Sequence, residues 1–96
     1  MGFFRRFFGG RNGAGAESII HHNIQEIGLN HFPDDENARW NIDSIEFVEG
    51  MYVVVTSPVP HVGYSKIRFH MRDTSIDGVE IADCWENGQW VTLFTS

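Results

Sequence analysis

Cysteine is nearly absent: Cys84 stands alone among 96 residues, so no internal disulfide can staple the fold, as suits a reducing compartment. Long apolar runs are missing too, and nothing approaches the roughly 18–20 residues that a membrane-spanning helix needs. The first residues do not read as a secretory leader, because Arg5 and Arg6 interrupt the phenylalanines and Gly9 follows at once. Gly2 does not make a myristoylation signal, since Arg6 occupies the position that wants Ser or Thr. Cations are scarce after the first stretch. Residues 17–96 hold four Lys/Arg against thirteen Asp/Glu, a net of −9, whereas residues 1–16 hold Arg5, Arg6 and Arg11 with no acid, a net of +3. The body should repel nucleic acid and anionic lipid over most of its surface, and the first residues should attract both. Nucleic-acid binding by the body is therefore disfavoured.

Motifs that carry catalysis or metal are also lacking. Five histidines occur, but with no His-Glu-x-x-His and no Cys/His ligand spacing. The Asp34-Asp35-Glu36 cluster lacks the alternating order of a calcium loop. There is no Gly-x-Ser-x-Gly and no phosphate-cradling glycine loop before a helix. No metal and no cofactor is expected, and the balance leans away from an enzyme.

What is present is a core. Hydrophobic residues make up 42% of the chain and aromatics 14%, enough for one packed domain at this length. Residues 9–16, rich in Gly, read as a flexible linker. They separate a Phe/Arg segment, residues 1–8, from a single globular domain over residues 17–96. Residues 18–28 read as a helix: Ser18 can cap it, Ile20, Ile24 and Ile27 share one face, and Gly28 can supply a left-handed stop. From Arg39 the pattern changes to strands. Trp40 and Ile42 have one parity and Ile45 and Phe47 the other, which predicts a bulge near Asp43-Ser44. Glu49-Gly50 reads as a tight turn. Tyr52–Val55, apolar on both parities, reads as a central strand covered on both faces. Residues 57–63, with Pro58 and Pro60, should leave the sheet. Asn87-Gly88 is the strongest hairpin signal, setting Trp85 opposite Trp90 and Asp83 opposite Thr92, with Ile81 expected opposite Phe94 and Ala82 opposite Leu93.

The expected fold is α+β: one N-terminal helix packed on a curled antiparallel five-stranded meander, with a small all-β barrel as the alternative. This order of layers resembles the cystatin-like and NTF2-like architectures, a likeness of elements alone that implies no activity.

Three constellations stand out. Parity predicts that Ile67, Phe69 and Met71 join the face of Ile81 and Trp85, which places Asp83 on an apolar layer. There its pKa should rise, and Asp83, Trp85, Trp90 and Thr92 would line a ligand pocket between helix and sheet, with Asp83 as the candidate base. Against this stands a plainer expectation, a carboxylate satisfied by Thr92 or by water. The second constellation is the basic strand face of Lys66, Arg68, His70 and Arg72, read either as an anion site or as an outward face balanced by acids such as Glu80. The third is the N-terminal segment. On a helix, Phe3, Phe4, Phe7 and Phe8 oppose Arg5 and Arg6, which suits a membrane surface or a partner's groove.

The leading expectation is a non-enzymatic binding or adaptor domain, cytoplasmic, with a protein partner and peripheral membrane contact through residues 1–8. The alternatives are a small-molecule or catalytic domain around Asp83, and an acidic inhibitor or immunity-type protein. Oligomeric state is left open.

Overall fold

The computed structural model of the chain describes residues 11–96. Helix α1 spans Arg11–His31, and five strands follow: β1 Arg39–Val48, β2 Met51–Val59, β3 Ile67–Met71, β4 Val79–Glu86 and β5 Gln89–Thr95. All neighbours pair antiparallel in the order β1-β2-β3-β4-β5. The sheet is open and not closed into a barrel, so the α+β expectation holds. Helix α1 covers one face only.

Helix α1 is longer than its apolar period suggested. Ala16, Ile20, Ile24 and Ile27 are buried along one stripe, and the helix already begins at Arg11, within the stretch read as linker. Glycine costs about 1 kcal/mol per helical position relative to alanine, but burial of Ala16 in this first part of the helix helps offset that. Residues 1–8, and the first part of the predicted linker, lie outside the described residues.

Gly28 does not stop the helix either. Chain direction changes after His31, where Pro33 forces Phe32 out of the helical region (φ −131°, ψ 65°). Gly28 serves packing instead: a Cβ there would overlap the indole of Trp40. Asn23, a polar residue on the apolar arc, is accounted for by its Nδ2 donating to the Thr74 carbonyl at 3.0 Å.

The bulge on β1 falls where the parity change placed it, between Ile42 and Ser44. It keeps Trp40, Ile42 and Ile45 on the helix side despite their mixed spacing. Strand β2 corrects two expectations. It runs to Val59, so Ser57 and Pro58 stay paired with β1, opposite Asn41 and Trp40. Pro58 is tolerated because β3 pairs β2 only as far as Thr56, and no neighbour on that side asks Pro58 for an N–H. Nor is β2 covered on both faces: Val54 and Thr56 are fully buried beneath the helix layer, while Val53 and Val55 on the other face are only half-buried. Thr56 is satisfied by donating to the Ile67 carbonyl at 2.8 Å.

Both tight turns form. Asn87 and Gly88 have φ of 54° and 79°, and Glu49 and Gly50 have 52° and 83°, the positive pairs of a type I′ hairpin. Glutamate is a poor occupant of that first position. Replacing Glu49 with asparagine is expected to raise stability by about 0.5 kcal/mol, read as a shift in urea midpoint at constant slope. A loss of stability would contradict this reading of the turn.

Candidate functional site

The site grows out of the β3–β4 register. Arg68 lies opposite Asp83, Phe69 opposite Ala82 and His70 opposite Ile81. Directly paired residues share a face, so Phe69 and Ala82 point to the helix while Arg68, His70 and Asp83 point away. This overturns the expected pocket. Ile67, Phe69 and Met71 join Ala82 and Cys84, not Ile81 and Trp85, and all five are at most 1% exposed. The reason is steric. The layer under α1 is already filled by Ile20, Ile24, Ile27, Trp40 and Phe69, and small residues on β4 leave room there. The larger Ile81 and Trp85 go to the uncovered face, and Asp83 goes with them. Asp83 does not lie between helix and sheet.

Nearest the turn the hairpin register is as expected: Trp85 with Trp90, Cys84 with Val91 and Asp83 with Thr92. Beyond Asp83 a register shift intervenes. Ala82 pairs with Phe94 and Ile81 with Thr95, so the expected couples Ile81–Phe94 and Ala82–Leu93 do not form. Leu93 is the extra residue.

Although it sits on the open face, Asp83 is only 3% exposed. Its neighbours close over it. Oδ2 accepts from Arg68 Nε at 2.8 Å and lies 2.7 Å from His70 Nε2, and Oδ1 accepts from Thr92 Oγ1 at 3.1 Å. Arg68 Nη2 is a further 2.8 Å ion-pair contact to Oδ2. The guanidinium of Arg68 lies 4.4 Å from the ring centre of Trp90, and Trp90 meets Trp85 edge-on at 5.1 Å. The result is a layered arrangement of carboxylate, cation and indole. Burial alone would raise the Asp83 carboxyl, as expected from the sequence. The hydrogen bonds from His70, Arg68 and Thr92 outweigh it and hold the group below its ordinary value.

Two predicted constellations thus become one. Arg68 and His70 of the basic strand face are the partners of Asp83. The other two basic residues are also matched: Lys66 pairs with Asp43 at 2.8 Å, and Arg72 with Glu80 at 3.1 Å. The face is balanced by acids, Glu80 among them, and offers no spare cation for an anion. Sequence reasoning missed this meeting. The signal that could have found it was charge complementarity: extending the hairpin register one strand further sets the alternating bases of β3 against the single acid in mid-β4.

The other perturbed ionisable groups have local causes. Asp43 is lowered because hydrogen bonds from Lys66 and Ser57 outweigh the opposing effect of burial. Cys84 is buried and its thiol is pushed up by desolvation, with Glu86 adding to the effect, which suits inert packing. His31, at the end of α1, stacks on Phe94 at 5.0 Å. Burial lowers its pKa against the opposing charge of Asp77. Among the described residues no group of three potential ligands is placed to hold a metal ion, and no helix is long and apolar enough to cross a membrane.

No protein-family model, curated protein or solved structure matches this chain.

Proposed function

We propose that the protein is a non-enzymatic binding or adaptor domain, whose acidic body meets a protein partner and whose Phe/Arg segment, residues 1–8, tethers it to a membrane surface or to that partner. The observation that carries this reading is the occupation of Asp83. The one carboxylate suited to act as a base has both oxygens engaged by Arg68, His70 and Thr92, on the face that the helix does not cover. A general base needs a free lone pair within reach of a substrate proton.

The charge balance points to a basic partner. Of the four Lys/Arg in residues 17–96, Lys66, Arg68 and Arg72 are neutralised in ion pairs. Acids such as Glu17, Glu46 and Glu86 are left exposed at the surface. Such a surface steers cationic partners and repels anionic lipid, so attachment to an anionic membrane falls to the Phe/Arg segment.

Flotation with anionic vesicles tests the tether. Full-length protein is expected to float with the vesicles, weakly and less so as salt rises. A full-length variant with Phe3, Phe4, Phe7 and Phe8 replaced by serine should remain at the bottom. Equal, negligible flotation of both, with no difference between them in binding to a basic protein partner, removes the tether.

A further inference from the structure

The two edges of the sheet are built differently. At β1 the edge is blocked by the bulge at Asp43 and by the charges of Arg39, Asp43 and Glu46. Gln25 of α1 also closes it: its Nε2 donates to the Trp40 carbonyl at 2.8 Å, and its Oε1 accepts from the Trp40 N–H at 3.0 Å. A side-chain amide thus takes two of the backbone groups that a further strand would use. Such devices are how sheets avoid edge-to-edge pairing.

At β5 they are largely missing. Gln89–Thr95 contains no charged residue and no proline, and among the described residues no element pairs with its outer side. Hydrogen-bond parity says which groups are on offer. After a two-residue turn, Glu86/Gln89 and Cys84/Val91 are the bonded pairs, and Trp85/Trp90 and Asp83/Thr92 the non-bonded ones. The Trp85 N–H accordingly turns the other way and donates to the Lys66 carbonyl at 3.1 Å. Trp90 and Thr92 therefore direct their N–H and C=O groups outward.

We propose that a second copy of this chain pairs with this edge, β5 against β5 and antiparallel, across a twofold axis at Val91. Parity allows an axis at Trp90, Val91 or Thr92, and the one at Val91 engages both outward residues of the regular stretch in each copy. It sets Trp90 opposite Thr92 of the second copy, and Thr92 opposite Trp90 of the second copy, so each couple exchanges both of its N–H···O bonds. Val91, 36% exposed, meets its own counterpart on the helix side of the sheet. Charge favours a second copy over a foreign basic strand. The chain carries −6 overall and should repel itself, but this strand brings no charge to the contact. A basic strand, in turn, would find no acid on β5 to answer it. Opposite the middle of β5, Asp83 is buried and already held by Arg68 and His70, and Glu86 faces only Gln89 at the turn end. The extra residue Leu93 ends the regular stretch, so the contact is short and the association depends on concentration. This inference goes beyond the proposed tether and does not depend on it, although pairing would place two Phe/Arg segments on one particle.

Sedimentation equilibrium of the full chain across a dilution series tests the pairing. Concentrated protein is expected at twice the 11.0 kDa of one chain, falling to one chain on dilution. Val91→Lys and Val91→Glu should each stay monomeric, with the far-UV circular dichroism of the parent. Mixed in equal amounts, they should restore the doubled mass, because opposite charges then meet at the axis. Hydrogen exchange on the unaltered protein supplies a readout free of variants: the Trp90 and Thr92 amides should gain protection at high concentration. A parent chain that is monomeric at every concentration overturns the proposal. So does a doubled mass that survives Val91→Lys, and so do Trp90 and Thr92 amides whose exchange ignores concentration.

Discussion

Replacing Asp83 with alanine is expected to lower stability by about 2–3 kcal/mol in urea unfolding. Asp83 is 3% exposed, and its carboxylate anchors three side chains at once. Its loss leaves Arg68 without a counter-charge and both His70 and Thr92 without a partner. Breaking a fully buried ion pair costs about 3–5 kcal/mol because the surviving charge is stranded. Arg68 keeps some contact with water, its side chain being 27% exposed, which sets the lower figure. The Arg68–Trp90 stacking should loosen as well, so indole fluorescence offers an independent readout. A change within about 0.5 kcal/mol, the range of ordinary surface substitutions, would show that the network contributes nothing to the fold.

The same substitution carries a pH signature. Folding holds the Asp83 carboxyl below its ordinary 3.8, so the unfolded chain binds the proton first as pH falls. Stability from this group is therefore complete above that ordinary value. It drains away as pH drops from there through the folded value. The gap between parent and Asp83→Ala should narrow below about pH 4. Asp43 and Asp73 are lowered too, so the parent's total acid slope mixes several carboxylates and only the difference isolates Asp83. A gap that widens in acid would reverse the sign and reject the assignment.

Gly28→Ala is expected to destabilise by about 2 kcal/mol, although helix propensity by itself favours alanine by about 1 kcal/mol. Sterics decide the sign. The new Cβ would overlap the Trp40 indole, and that ring has little room to retreat, being 3% exposed and packed against Phe32 and Phe69 at 5.4 and 5.8 Å between centroids. Overpacking of a rigid neighbour costs about 1–3 kcal/mol, and more when backbone must move. Trp40→Leu placed in the Gly28→Ala background should recover part of the loss, giving a clear non-additivity in the double-mutant cycle. Were Gly28→Ala alone to stabilise the protein, the close approach of helix and β1 would be wrong.

Much of the fold was legible because the rules involved are local. Asn87-Gly88 carries its own turn geometry, and Glu49-Gly50 does the same less perfectly. The parity switch from Ile42 to Ile45 encodes the β1 bulge within four residues of chain. Pairing outward from Asn87-Gly88 stayed correct until Leu93 added a residue, since nothing in a period-two pattern announces a register shift. Helix ends were less legible. The burial of Ala16 exists only in the folded chain, and the role of Gly28 depends on a tryptophan twelve residues away.

The candidate site divides along the same line. By themselves, the residues determined an antiparallel meander after one helix, the pairing of Trp85 with Trp90 and of Asp83 with Thr92, and a β3 strand with bases on one face. Only the tertiary structure decided which face the helix covers. Alternation along a strand sorts side chains into two sets but does not say which set is interior. That choice rests on volume: with Trp40 and Phe69 filling the helix layer, β4 places the smaller Val79, Ala82 and Cys84 beneath it. Asp83 was thereby turned to the open side, into the reach of Arg68 and His70.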